Sequence, residues 1–171
     1  MKKPPLIMRF IKNIALFGSL FIILSIVVDW FRKPTPPLQF AEQVFYDIRQ
    51  QPKVIAQLSH ERPMLLYFWG TWCSFCRFTS PSIQQFSDQG IPVLSVALKS
   101  GSVKEVADYL NQNGYSFSVI NDPEGDLAKA WDIQATPTIL FIKNGKVINH
   151  TTGLTSSMGL KVRMALADVA R

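Results

Sequence analysis

Cysteine and histidine are scarce: the 171 residues contain two of each, Cys73, Cys76, His60 and His150. Two cysteines cannot build the multi-bridge framework of a small secreted scaffold. Nor can they build a structural zinc site, which takes four ligands, since both histidines lie far from the thiols and lack ligand spacing. No Gly-rich phosphate loop, His-x-x-His array, internal repeat or low-complexity tract is present, so phosphate and zinc-hydrolase chemistry have no carrier. Acidic residues are nearly missing from one region only. Residues 1–33 hold Lys2, Lys3, Arg9, Lys12, Arg32 and Lys33 against Asp29 alone, and thus +5 of the formal +6. The remainder, at +1, has no electrostatic footprint for nucleic acid.

The same N-terminal region carries an uncharged run from Ile14 to Val28, broken only by Gly18, Ser19 and Ser25. As a helix it would span roughly 22 Å, short of a hydrocarbon core of about 30 Å. Phe10 and Ile11 can lengthen it while Lys12 snorkels, and Trp30 and Phe31 fall where interfacial aromatics are favoured. Four bases ahead of the run keep its N-terminus inside, so the rest of the chain is expected outside the cytoplasm. No small-residue cleavage site follows, and an uncleaved single-pass anchor over residues 1–33 is therefore expected. Disulfides are permitted in an exported domain.

Pro34, Pro36 and Pro37 make residues 34–39 a stiff spacer, and the folded domain is expected over residues 40–171. Its first part, 40–58, is mixed in period and interrupted by Pro52. From Met64 the signals sharpen. "MLLYFW" and "IPVLSVAL" are apolar runs of the kind buried on both faces of a sheet. The stretch from the cysteines to Gly90 reads as a helix kinked at Pro81, and 103–113 as a second helix ending at Gly114. "YSFSVIND" gives a strand, "PEGDLAKAWDI" a short helix, and "TPTILFIKNGKVINHTTG" a hairpin turning at Asn144-Gly145. A helix from Ser156 closes the domain. Strands alternating with helices before a hairpin predict an α/β sandwich with a mixed sheet whose last strand is antiparallel.

A lone Cys-x-x-C suits a redox centre, a metal clamp or a short staple. Metal lacks ligands, and a bridge closing so small a loop constrains little of the unfolded chain. The strand-to-helix context favours redox work. It places Cys73 at the first exposed turn of a helix, where unpaired N–H groups and the positive dipole end stabilise a thiolate. Cys76, one turn on, is within reach to resolve a mixed disulfide. Arg77 adds a positive charge nearby.

These residues resemble the thioredoxin superfamily. "LLYFWGTWCSFC", with Trp69 and Trp72, looks like its strand and active-site motif, and Pro81 matches the kinking proline of its helix. "AKAWDIQATPTILFIKNGKV" resembles the cis-proline stretch, and "TTG" at 151–153 the glycine turn beyond the hairpin. The likeness covers about residues 60–170 and implies a thioredoxin-like three-layer sandwich. The anchor and the inserted helix-strand unit between 100 and 121 are similar to the TlpA-like group of bacterial inner-membrane proteins with a periplasmic catalytic domain. "LLYFW", "INDPEG" and "TTGLTSS" look closest to its copper-sensitivity suppressor branch.

The resemblance implies thiol-disulfide exchange with protein substrates through Cys73 and Cys76. The redox-active disulfide then serves in place of any metal or other cofactor, and a membrane electron carrier or donor protein supplies electrons. It implies substrate contacts from Trp72, Ser74, Phe75, Thr136 and Pro137, the last after a cis peptide. Two positions depart from the pattern. Tyr67 stands where thioredoxin has a buried acid, leaving Glu61, Asp126 or water to take the resolving thiol's proton. Ser74-Phe75 between the cysteines matches neither the reducing nor the oxidising relatives. Phe75 and Phe78 near the sulfurs can offer an apolar landing surface; at this helical spacing Phe78 is more often core, while Phe75 fits either place.

Overall fold

The computed structural model describes residue 13, residues 16–20 and residues 33–169. The chain divides into two units, Met1–Lys33 and Pro34–Arg171. In the first, residue 13 and residues 16–20 are helical and exposed; the rest of the expected anchor lies outside the described residues. Among the described residues no helix is long and apolar enough to cross a membrane.

In the second unit a short hairpin, β1 (Val44–Tyr46) and β2 (Pro52–Val54), leads into the one-turn helix α1 (Ile55–Leu58). Five longer strands follow: β3 (Met64–Trp69), β4 (Val93–Leu98), β5 (Ser118–Asp122), β6 (Thr138–Lys143) and β7 (Lys146–Thr152). Between and after them lie α2 (Cys76–Asp88), α3 (Val103–Asn113), α4 (Asp126–Ala130) and α5 (Ser157–Val169). Sheet order is β5-β4-β3-β6-β7. β3, β4 and β5 are parallel, β6 is antiparallel to β3, and β7 is antiparallel to β6. The reversal expected at the last strand thus begins one strand earlier. The crossovers through α2 and α3 keep direction, the connection through α4 reverses the chain before β6, and the Asn144-Gly145 hairpin reverses it again, which leaves β7 running with β3.

All six residues of β3 are buried, yet they alternate between two cores. Leu65, Tyr67 and Trp69 face α2, α3 and α5 through Ile83, Phe86, Val106, Leu110, Leu160 and Met164. Met64, Leu66 and Phe68 face the other way, toward Ile55, Ala128 and Trp131. A strand covered on both sides needs no polar alternation, and the three layers follow. Local chemistry sets the helix ends: Ser102 and Glu105 form a reciprocal capping box on α3, and the Asp122 carboxylate accepts from the Leu127 and Ala128 N–H groups at the start of α4. Both satisfy donors that a helix leaves unpaired.

Residues 34–39, expected as a stiff spacer, begin in contact with the folded unit. Pro34 is buried, the Thr35 N–H donates to the Trp131 carbonyl at 3.1 Å, and the Phe40 ring meets the Trp131 indole edge-on at 4.8 Å.

Candidate active site

β3 ends at Trp69, α2 begins at Cys76, and six residues make the turn between them. That turn is held from β4. Thr71 N–H donates to Ser100 Oγ at 3.0 Å, and Trp72 Nε1 donates to the Leu98 carbonyl at 2.9 Å. Gly70 is required by close approach: a Cβ there would lie 2.6 Å from two indole atoms of Trp72. The indole therefore lies back over the chain that bears it. Below, Trp69 Nε1 donates to Ser95 Oγ at 3.1 Å, which in turn donates to the Ser118 carbonyl.

Cys73 and Cys76 are joined as a disulfide, their Cα atoms 5.3 Å apart. Cys73 precedes the helix, and the N–H of Cys76, the first residue of α2, donates to Cys73 Sγ at 3.2 Å. This donor and the helix dipole are what a Cys73 thiolate needs once the bridge is opened. No acid occupies the first turn of α2 to oppose them. Cys73 is less accessible than its expected place on an exposed turn, at 5%, and Cys76 is at 0%. The turn folds inward under the Trp72 brace, so both sulfurs join the core cluster of Tyr67, Trp69 and Ile83.

Around this recessed pair the apolar side chains are outside. Trp72, Phe75 and Phe78 are 56%, 58% and 72% exposed. Phe78 is therefore not core. The buried stripe of α2 runs through Cys76, Thr79, Ser80, Ile83 and Phe86, which turns Phe75 and Phe78, three apart, to the outer side. Ser74 is exposed between the cysteines.

The Thr136-Pro137 peptide is cis. Thr138, next in sequence, pairs with Phe68 near the end of β3, so the topology brings Pro137 and the cysteines to one end of the sheet. Gly153 N–H donates to the Pro137 carbonyl at 2.8 Å, and Thr138 Oγ1 donates to the Ala135 carbonyl at 2.7 Å. The loop is thus braced by its own hairpin.

Tyr67 is buried in this core, its hydroxyl 3.0 Å from Ser80 Oγ. Burial pushes the phenol above its ordinary value, so it stays protonated and cannot receive a thiol proton. The other two side chains expected as acceptors are elsewhere. Glu61 precedes β3, which alone spans about 20 Å, and Asp126 begins α4 on the opposite face of the sheet. Water is the acceptor left. Sequence reasoning missed the bracing set of Gly70, Leu98 and Ser100, whose only signal was a Ser-Gly pair after a buried strand.

A parallel-antiparallel sheet with a Cys-x-x-Cys disulfide at the strand-to-helix turn and a cis-proline at the same end of the sheet defines a thioredoxin-like protein. The chain belongs to the AhpC/TSA family, whose model matches residues 38–151. It is 42% identical over 163 residues to a thioredoxin-like protein of Haemophilus influenzae, covering 95% of this chain and 97% of that one. It is 31% identical over 101 residues to the thiol-disulfide oxidoreductase ResA of Bacillus subtilis, spanning 56% of each. A putative thiol:disulfide interchange protein DsbE from Chlorobium tepidum superposes with a TM-score of 0.65 at 21% identity, over 78% of this chain and 97% of that one, and shares the fold.

Proposed function

We propose that the protein is a membrane-anchored thiol-disulfide oxidoreductase that reduces disulfides of exported proteins through Cys73 and Cys76. The carrying observation is the Cys76 N–H aimed at Cys73 Sγ at the start of α2. The Cys73 thiolate attacks one sulfur of a substrate disulfide; the new S–S bond forms as the substrate bond breaks, and the departing thiolate takes a proton from water. Cys76 then loses its proton to water and attacks Cys73 Sγ. The second substrate sulfur leaves as a thiolate, the Cys73-Cys76 bond closes, and two electrons have passed to the substrate.

Trp72, Ser74 and Phe75 supply the exposed rim on which the substrate lands, and Thr136 and Pro137 offer backbone to its chain. The basic, apolar N-terminus supports anchoring in a bacterial inner membrane with the domain in the periplasm, where a membrane electron carrier or donor protein would restore the dithiol.

The test is acid-quenched thiol trapping in intact cells together with the reduction potential of the purified protein. A mostly reduced pair and a potential near about −270 mV are expected; a mostly oxidised pair near about −120 mV would make it an oxidase instead. Stoichiometric copper uptake without any exchange would replace both with a metal-binding role.

A further inference from the structure

A groove of about 370 Å³ opens beside Trp72, walled by Lys99, Lys129 and the segment Asp132 to Gln134. Along the chain its lining adjoins the proposed exchange site at two places. Trp72 in its lining immediately precedes Cys73, and Gln134 lies two residues before Thr136-Pro137 in the chain. Its lining is positive on balance. Lys99 and Lys129 are exposed, and neither is among the ion pairs found for the described residues. The one carboxylate in the wall, Asp132, already accepts from the Gln134 side chain. Glu124 and Asp126, on the turn that carries Gly125, are not among the lining residues. The lining thus carries two ammonium groups against one carboxylate, a net positive charge, although the folded unit as a whole is close to charge balance.

We propose that this groove is a specificity subsite that takes an acidic stretch of the partner polypeptide flanking its reactive cysteine, with carboxylates held by Lys99 and Lys129. The inference rests on the exchange reading above and names the kind of segment that site prefers. An extended chain whose cysteine reaches Cys73 passes Trp72 on its way along the wall toward Pro137. Side chains on one side of it then face the two lysines. Attraction across an exposed groove acts on encounter and register more than on the chemical step, and it is screened by salt.

The experiment uses the full chain in detergent and three peptides of one length, each with an internal disulfide flanked by two Glu, two Gln or two Lys. Rates of reduction are expected in the order Glu, Gln, Lys, with about ten-fold between the extremes at low salt, as two ordinary exposed ion pairs would give. The spread should collapse at high salt. The double substitution Lys99→Glu and Lys129→Glu should invert the order. Equal rates for the three peptides, or a Glu preference that survives the double substitution, would overturn the subsite. Should no peptide be reduced, the exchange reading itself fails. Equilibrium binding of the same peptides with Ser in place of Cys then decides the groove separately: a lysine-dependent Glu preference supports it, and its absence overturns it.

Discussion

The two ends of β3 make an instructive pair. At its start lies the larger cavity, about 630 Å³, walled by Ala56 to Leu58, His60 to Arg62, Gly90 and Pro92. At its far end lie the smaller groove and the cysteines. Size alone would have pointed to the wrong end. The start of β3 gathers polar side chains on a loop, with Arg62 Nη1 donating to the Gly90 carbonyl, and has no reactive group held by a helix terminus. The far end gathers strand C-termini, the first N–H groups of α2 and two sulfurs. Chemistry sits where unpaired backbone donors converge on a nucleophile, whatever the volume of the neighbouring space.

Substitutions at the two ends test that contrast. Cys73→Ser should abolish disulfide exchange and Cys76→Ser should accumulate mixed disulfides, whereas Arg62→Ala should leave the exchange rate as it was. Insulin-disulfide reduction and non-reducing gels read all three. If Arg62→Ala proved as damaging as Cys73→Ser, the two ends would not be separable.

The glycines give a finer comparison. In Gly70→Ala the new methyl displaces the Trp72 indole and its bond to the Leu98 carbonyl, so exchange should slow several-fold with stability little changed. Gly90→Ala has open space, its nearest neighbour 3.9 Å away, but φ is +75°. It should cost about 1 kcal/mol of stability and nothing in rate. Paired urea titrations and exchange assays would show whether the effects divide this way.

Glu61→Gln should leave the pH profile of exchange unmoved, because that carboxylate stands a strand's length from Cys76. A shifted alkaline or acidic limb would return Glu61 to the proton path. The smallest effect concerns Tyr67. Its folded value is raised by burial, so the contribution of the neutral phenol is complete below about pH 10 and is lost as pH rises from there, when the unfolded chain ionises first. Tyr67→Phe should flatten the alkaline fall in stability measured by thermal melts from pH 8 to 11. An unchanged fall would assign it to the remaining tyrosines.

Much of this was legible along the chain. Cys73 and Cys76 between a buried apolar run and a helical period, the order of strands and helices from Met64, and the hairpin at Asn144-Gly145 all follow from local spacing, turn chemistry and side-chain type. Such signals need no knowledge of distant residues. What covers a face does need it. Phe78 fits a helical stripe by spacing, yet the stripe that the sheet covers runs through Cys76, Thr79 and Ile83, and Phe78 is left outside.

Cys73 is recessed because Leu98 and Ser100, more than twenty residues on, hold its turn down. The Pro34 segment lies on Trp131 through one backbone bond and an aromatic contact that no local pattern announces. The sequence by itself determined the reactive pair and the elements that bear it, since both depend on neighbours within a few residues. Only the tertiary structure decided which aromatics are left exposed, which acids are out of reach and which lysines are outside the ion pairs, because burial and charge pairing are set between elements that meet only after the sheet has formed.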